Sequence, residues 1–299
     1  MAYAHGRLLI GDPNIYSYSR TELTHYFRSA RAHNTVLVDG KGQARKFTQA
    51  SKLSTQGRNE WMTTDTFDFV SSEYVEGYAI DPYNIEGHVI ELDESLSHRR
   101  AIFYVKPGYW ILCDLIRGGD DAKHTLEQVF HLAPLYTPDA ADVFQAGDVA
   151  VSPAGIVTRN AGVANLAILP VDADGLSART QKGETSPAVG WYGVRGEFPA
   201  WDVTLEREST LPARLDAVLF PMAPGDTAYP TVQRVRADPQ MTAFRITGEG
   251  IDDTFVLCEE EAGPVTIGDV TFEDRALLIR RLPEVQTLAM GKVKLETPA

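Results

Sequence analysis

Short runs of β-type residues, separated by turn residues, recur along the whole of this 299-residue chain. The runs are rich in Val, Ile, Phe, Tyr and Thr, and no convincing amphipathic helix interrupts them. Such runs without intervening helical patterns are typical of antiparallel sheets rather than of βαβ repeats. The sequence therefore predicts an all-β protein, a large antiparallel β-sandwich of two packed sheets, in which residues 1–299 form a single domain.

The clearest pair of strands lies on either side of the turn sequence "KPGYW", Lys106 to Trp110. The run "RRAIFYV" comes before this turn and "YWILCDLI" comes after it, and both are strongly hydrophobic. Proline and glycine in a short connection favour a tight turn. We therefore expect the two runs to form a hairpin at the centre of a sheet.

Composition and charge exclude several classes of protein. The chain has 41 acidic against 28 basic residues and a formal net charge of −13, with no Lys/Arg-rich run to neutralise phosphates. No apolar run approaches the roughly 20 residues that cross a bilayer, and the first residues do not resemble a secretory signal. We therefore expect no nucleic-acid partner, no membrane span and no signal peptide in this chain.

Several common kinds of site are also missing from the sequence. It contains neither a phosphate-binding nor a dinucleotide-binding glycine motif, and it lacks the serine-hydrolase elbow. Cys113 and Cys258 lie in apolar runs and are predicted to be buried free thiols. His124 and His131 are seven residues apart, which places them on opposite faces of a regular strand and argues against a shared metal ion. We expect one of the two to face the core between the sheets as a hydrogen-bonded histidine, and His98 to be a hydrogen-bonded core histidine as well.

The segment "GDPNIYSYSRTELTHYFRSARAHNT" concentrates aromatic, cationic and hydrogen-bonding side chains next to a strand. Tyrosine rings suit the faces of sugar rings, and a guanidinium group suits a carboxylate. The alternative is a solvated loop in which the tyrosines are partly buried. On the first interpretation, the candidate substrate-binding residues are Tyr16, Tyr18, Arg20, Arg31 and Asn34.

Four stretches together resemble the β-sheet domain of the heparinase II/III-like polysaccharide lyases, a group that includes alginate lyases. The likeness is specific from about Gly6 to Pro134, and the stretches are "LLIGDPNIYSYS", "HYFRSARAHNTVLVDGKGQ", "DFVSSEYVEGY" and "HRRAIFYVKPGYWILCDLIRGGDDAKHTLEQVFHLAP". The resemblance implies an enzyme in which an α/α toroid joins a large antiparallel β-sandwich. Such an enzyme cleaves uronic-acid glycosidic links by β-elimination in the cleft between the two parts.

The resemblance also implies where the reactive groups come from. A tyrosine, an asparagine and one histidine belong to the toroid, and a further histidine lies just before the strand of "RLLIGDP". We therefore assign no catalytic residue to this chain. The β domain of the family is further expected to hold zinc through His, Asp and His ligands, of which Asp12 and His33 match the last two. Because the first ligand would precede Met1 and structural zinc normally takes four ligands, the site is incomplete here.

These observations lead to three functional expectations. The first is the β part of a periplasmic or secreted lyase for an acidic polysaccharide of alginate or glycosaminoglycan type, incomplete without a toroid domain or chain. The second is a non-catalytic module that binds acidic glycans or docks on a partner. The third is a split product whose exposed sheet face is the docking surface for a missing domain.

Overall fold

The computed structural model describes residues 1–14, 21–44, 59–80, 91–137, 143–194, 196–238, 240–267, 270–281 and 286–295. One short α-helix, α1 (Glu22–Arg28), and a 3-10 turn (Ala30–Ala32) accompany the strands. The strands up to residue 152 are β1 (Ala2–Ala4), β2 (Arg7–Ile10), β3 (Val36–Val38), β4 (Gly42–Gln43), β5 (Asn59–Thr63), β6 (Phe67–Tyr74), β7 (Tyr78–Ala79), β8 (Ser97–Val105), β9 (Trp110–Arg117), β10 (His124–His131), β11 (Leu135–Thr137), β12 (Val143–Gln145) and β13 (Val149–Ser152).

The remaining strands complete three large sheets or form small two-stranded ribbons. They are β14 (Gly155–Thr158), β15 (Asn165–Pro170), β16 (Ser177–Gln181), β17 (Glu184–Thr185), β18 (Ala188–Val189), β19 (Trp191–Tyr192), β20 (Phe198–Pro199), β21 (Asp202–Ser209), β22 (Ala213–Met222), β23 (Thr231–Asp238), β24 (Met241–Gly248), β25 (Ile251–Ile267), β26 (Val270–Arg280) and β27 (Gln286–Leu295).

All strand pairs in the three large sheets are antiparallel. The central sheet has the order β13-β14-β15-β22-β9-β8-β6-β5. A four-stranded sheet has the order β16-β21-β10-β3, and a five-stranded sheet has the order β23-β24-β25-β26-β27. Strands β8 and β9 pair from Ser97↔Arg117 to Tyr104↔Trp110 in the middle of the central sheet. The predicted all-β antiparallel fold and the predicted central hairpin are therefore confirmed.

The central sheet packs against another sheet on each of its two faces. Alternate side chains of each strand point to opposite sides, so each strand contributes to both contacts. On one face, Phe103 and Ile111 pack against Phe255 of the five-stranded sheet. On the other face, Leu112 packs in a cluster with Phe130 of the four-stranded sheet. Complete burial of one such side chain contributes about 1.5–3 kcal/mol. The predicted sandwich thus has a third layer, and the central sheet is the middle one.

Helix α1 is the main local feature that the sequence analysis did not anticipate. Its first turn is capped by Thr21, whose hydroxyl oxygen accepts a hydrogen bond from the Thr24 amide at 3.2 Å. Tyr26 and Phe27 form its buried side and pack against the β18 strand. A helix of seven residues is stabilised mainly by such packing, and it is too short to show a helical periodicity. No helix of the described residues is long and apolar enough to span a membrane.

Both cysteines and two of the histidines, His98 and His131, are buried in the structure. Cys113 and Cys258 are buried free thiols, as predicted. His98 is buried and donates from Nε2 to Asp114 Oδ1 at 2.9 Å, which confirms its place in the core. His131 is the buried member of its pair, but it packs beside Tyr26 of α1 rather than between the sheets. The expected inter-sheet position is therefore wrong, because α1 covers the outer face of β10.

Candidate functional site

Asp12 and His33 lie side by side where two chain segments meet. Asp12 follows the end of β2, and His33 lies between the 3-10 turn and β3. Their Oδ2 and Nδ1 atoms are 3.3 Å apart, and the side chains are 49% and 42% exposed. The hydrogen bond to His33 is the main cause that lowers the pKa of Asp12. The structure thus brings these two residues together, and they are called here the Asp12 pair.

Asn34 fixes the segments that carry the pair. Its Nδ2 donates to the carbonyl oxygen of Gly11 at 2.7 Å, next to Asp12. Its Oδ1 accepts from the backbone amide of His131 at 2.8 Å. One side chain therefore joins the end of β2, the start of β3 and the end of β10, and it holds the pair at a defined edge of the four-stranded sheet.

The half-buried guanidinium group of Arg100 supports the backbone of Asn34. The guanidinium of Arg100 donates to the backbone carbonyl of Asn34 and also to both carboxylate oxygens of Asp114, at 2.6 and 2.7 Å. Gln128 donates to the same carboxylate at 2.8 Å. Burial alone would raise the pKa of Asp114, but the charge of Arg100, the neighbouring His98 and the hydrogen bonds from both side chains together outweigh it, and the pKa is lowered. The carboxylate is therefore ionised, and it anchors the central sheet to the segment that precedes β3.

Arg31 lies on the outer face of the four-stranded sheet, where carboxylates already pair with it. Its Nη1 donates to Glu127 at 2.8 Å, and its Nε is 3.7 Å from a carboxylate oxygen of Asp202. Arg179 donates to the same Glu127 oxygen. Two guanidinium groups thus pair with two carboxylates. The charge of Arg31 is largely neutralised by them and contributes little to the binding of an anionic ligand. Its predicted role in substrate binding stays a prediction, as does that of Asn34.

A groove of about 600 Å³ runs between α1 and this face. Its walls include His25 of the helix together with Arg31, Glu127, Arg179 and Gln181 of the turn and sheet. Next to the groove, burial lowers the pKa of His131, and its Nε2 donates to the Arg31 carbonyl at 3.1 Å. The ring of His131 is therefore a neutral hydrogen-bond donor, which positions the chain before His33.

The geometry of the Asp12 pair partly suits zinc. Ligand atoms that occupy two corners of a tetrahedral zinc site, at bond lengths of about 2.0–2.2 Å, stand roughly 3.3 Å apart, and the pair meets this condition. However, the described residues contain no group of three or more His, Cys, Asp or Glu side chains that could hold a metal ion. Two donors do not fit a complete site, so the zinc assignment of Asp12 and His33 stays a prediction.

The structure adds one residue that the sequence analysis missed. Tyr192 lies in β19, and the hydrogen bond from the Gly193 amide to the Pro13 carbonyl, at 2.7 Å, joins this strand to the Asp12 segment. Burial and then the charge of Asp12 raise the pKa of Tyr192. The motif "GWYG" carries no signal of this position, because the contact joins distant parts of the chain. The predicted residues Tyr16, Tyr18 and Arg20 lie outside the described residues.

Comparison with known proteins agrees with this architecture. The family profile "Heparinase II/III-like, C-terminal" matches residues 2–214. No curated protein gives a significant match. Among solved structures, a mutant of the heparan sulfate lyase HepC from Pedobacter heparinus shares 16% identity and a TM-score of 0.54, covering 93% of this chain and 35% of its own.

Two further structures have a similar fold. Heparinase III shares 16% identity and a TM-score of 0.58, covering 85% of this chain and 34% of its own. The heparinase III that is the BT4657 gene product shares 15% identity and a TM-score of 0.57, covering 84% of this chain and 34% of its own. The chain thus spans about a third of the length of these proteins. Because the profile covers more than half of the chain, this protein belongs to the heparinase II/III-like family and contains its C-terminal β-sheet domain.

Proposed function

We propose that this chain is the β-sheet part of a polysaccharide lyase that cleaves uronic-acid-containing glycans by β-elimination. A helical toroid, in the same protein or in a partner chain, supplies the rest of the active site. Family membership over residues 2–214 supports this proposal, and one structural neighbour is named as a heparan sulfate lyase. Since such glycans are found outside the cytoplasm, the proposed location is the periplasm or the exterior.

The observation that carries the proposal is the exposed Asp12 pair at a fixed edge of the fold. β-Elimination requires that the substrate carboxylate is neutralised, that a base removes the adjacent C5 proton and that an acid protonates the leaving oxygen. In this proposal the toroid provides the base, and the edge that carries His33 faces the cleft. A zinc ion at the pair, with further ligands from outside the described residues, would supply positive charge there.

The proposal is tested with uronate oligosaccharides from alginate and from heparan sulfate. The chain alone is expected to bind one of them without producing the ultraviolet absorbance of an unsaturated uronate. The same chain joined to a helical region encoded upstream of Met1 is expected to produce that absorbance. A flat trace from the joined protein on both substrates would reject the lyase proposal.

The second candidate is a non-catalytic module that binds acidic glycans. It is favoured by the half-buried ring of Tyr192, which lies close to Gly11 beside the Asp12 pair and suits contact with a sugar ring without any catalytic step. This candidate predicts binding without any product, also when the upstream coding region is included. The same assay therefore separates the two candidates.

A further inference from the structure

Four aromatic side chains lie in contact on two small two-stranded ribbons outside the three large sheets. Phe144 is central, with ring centroids at 5.0 Å from Tyr136, 5.4 Å from Tyr192 and 5.2 Å from Phe198. Tyr136 and Phe144 come from the β11–β12 ribbon, and the other two come from β19–β20. We call these four residues the aromatic shelf.

The shelf lies directly beside the Asp12 pair. A Cβ atom built on Gly11 would stand 3.4 Å from Cε2 of Tyr192, so the tyrosine ring lies close to the backbone just before Asp12. The hydrogen bond from the Gly193 amide to the Pro13 carbonyl fixes this approach at 2.7 Å. Within the aromatic shelf, Tyr192 is the residue next to the Asp12 pair. Phe144 lies between Tyr192 and Tyr136 and contacts both rings.

The shelf is also at the surface. Tyr136 is 45% exposed, and the other three rings are half-buried and border it, so that the exposed edge of the group is formed by Tyr136. Aromatic side chains of this size normally bury most of their surface, because they contribute much of the energy of a core or an interface. A group of contacting rings at a surface is therefore a candidate binding site.

The negative charge of the chain favours a binding mode in which the sugar rings of a glycan stack on aromatic side chains, rather than one that depends on charge pairs. The chain carries a net charge of −13, which repels a polyanion at long range, and Glu127 and Asp202 already pair with Arg31. The apolar face of a sugar ring, in contrast, packs on an aromatic ring without regard to the charge of its substituents. We propose that the aromatic shelf stacks pyranose rings of the uronate glycan next to the Asp12 pair, an inference that rests on the proposed function.

The test compares two tyrosines of equal exposure. Tyr136 of the shelf is 45% exposed, and Tyr229, which lies far along the chain before β23, is 44% exposed. Binding of an alginate oligosaccharide and of a heparan sulfate oligosaccharide is measured by calorimetry for the chain, Tyr136→Ala and Tyr229→Ala. A lost aromatic contact of about 0.5–1.5 kcal/mol corresponds to roughly two- to tenfold weaker binding. This loss is expected for Tyr136→Ala alone.

Ionic strength separates stacking from charge. The loss in Tyr136→Ala should keep the same fold-change at low and high salt, because screening weakens charge pairs but not stacking. Tyr192→Leu removes the ring that lies nearest to the Asp12 pair and should also bind more weakly than the parent chain. Thermal unfolding of each variant shows whether its fold is intact, and Tyr136→Leu replaces Tyr136→Ala if the latter unfolds.

The outcomes distinguish this proposal from the one on which it rests. If the parent chain binds an oligosaccharide and Tyr136→Ala binds as tightly as Tyr229→Ala, the shelf proposal is overturned while the proposed function stands. If the parent chain binds neither oligosaccharide, glycan binding by this domain is refuted, and the shelf proposal falls with it.

Discussion

At the scale of single residues, Asn34 is the part of the site on which most contacts converge. Its side chain bonds to Gly11 and to His131, and its carbonyl accepts from Arg100. The polar surroundings of Asn34 in the sequence indicate a substrate-binding candidate. They carry no signal of these partners, because the partners belong to three other strands or connections and no local pattern encodes them.

Replacing Asn34 by Ala should therefore destabilise the fold. The change leaves the His131 amide and the Gly11 carbonyl without their partner, and an unsatisfied buried group costs about 1–3 kcal/mol. The free energy of unfolding in denaturant measures the loss. Asn34→Asp is the matched control, since it keeps an acceptor for His131 and should lose less. Equal stability of Asn34→Ala and the parent chain would show that the hydrogen bonds of the Asn34 side chain contribute nothing to the stability of the fold.

A second prediction at this scale concerns pH. His124 Nδ1 bonds to Asp39 Oδ2 at 2.8 Å, and this hydrogen bond is the main cause that raises the pKa of His124 above 6.5. A raised histidine pKa gives stability that is fully present below 6.5 and is lost as the pH rises through the folded-state value. Burial raises the pKa of Asp39, but the hydrogen bonds from His124 and the Thr125 amide, with the nearby positive charges, outweigh it. The pKa of Asp39 is therefore lowered below its ordinary value of 3.8, and the carboxylate is ionised at every pH above that value.

His124→Gln should accordingly destabilise the protein more at pH 5.5 than at pH 9. Because the pair is near the surface, the difference should be only a few tenths to about 1 kcal/mol. Unfolding free energies of the parent chain and the variant at both pH values provide the measurement. A variant whose deficit is the same at pH 5.5 and pH 9, or is greater at pH 9, would contradict the assigned ion pair.

At the scale of elements, β3 shows what a local pattern can predict. The apolar triplet Val36-Leu37-Val38, which follows His33 closely, is typical of a buried strand, and Val36 and Val38 are fully buried in the structure. Helix α1, by contrast, was not predicted. Its seven residues are too few for a periodicity, and its stability depends on the packing of Tyr26 and Phe27 on a strand much later in the chain.

Val38→Asp should be severely destabilising. It places an unpaired charge between the four-stranded and central sheets, which costs more than about 3 kcal/mol. Val235→Asp is the matched control, because Val235 lies in a strand, β23, but is 54% exposed. Thermal unfolding compares the two variants. If both melt at the temperature of the parent chain, β3 is not part of the core that holds the site.

At the scale of the whole molecule, the antiparallel sandwich followed from short alternating runs, but the number of its layers did not. Each run shows that a strand has a buried face, and only tertiary contacts decide which sheet covers that face. The strands of the central sheet, such as β8 and β9, can therefore be recognised in the sequence by their hydrophobic residues. The sequence does not show that the five-stranded sheet forms a third layer. The same limit applies to Tyr192, which reaches Asp12 from the second half of the chain.

The central claim is that the edge carrying the Asp12 pair faces a uronate glycan. Nuclear magnetic resonance of the histidine rings during titration with a uronate oligosaccharide tests this claim directly. His5 is the internal reference, because it is exposed at the turn of the β1–β2 hairpin, seven residues or about 23 Å of extended chain before Asp12. The account predicts saturable shifts of the His33 signals with little change at His5. Unchanged His33 signals at saturating glycan, or equal shifts at both histidines, would contradict it.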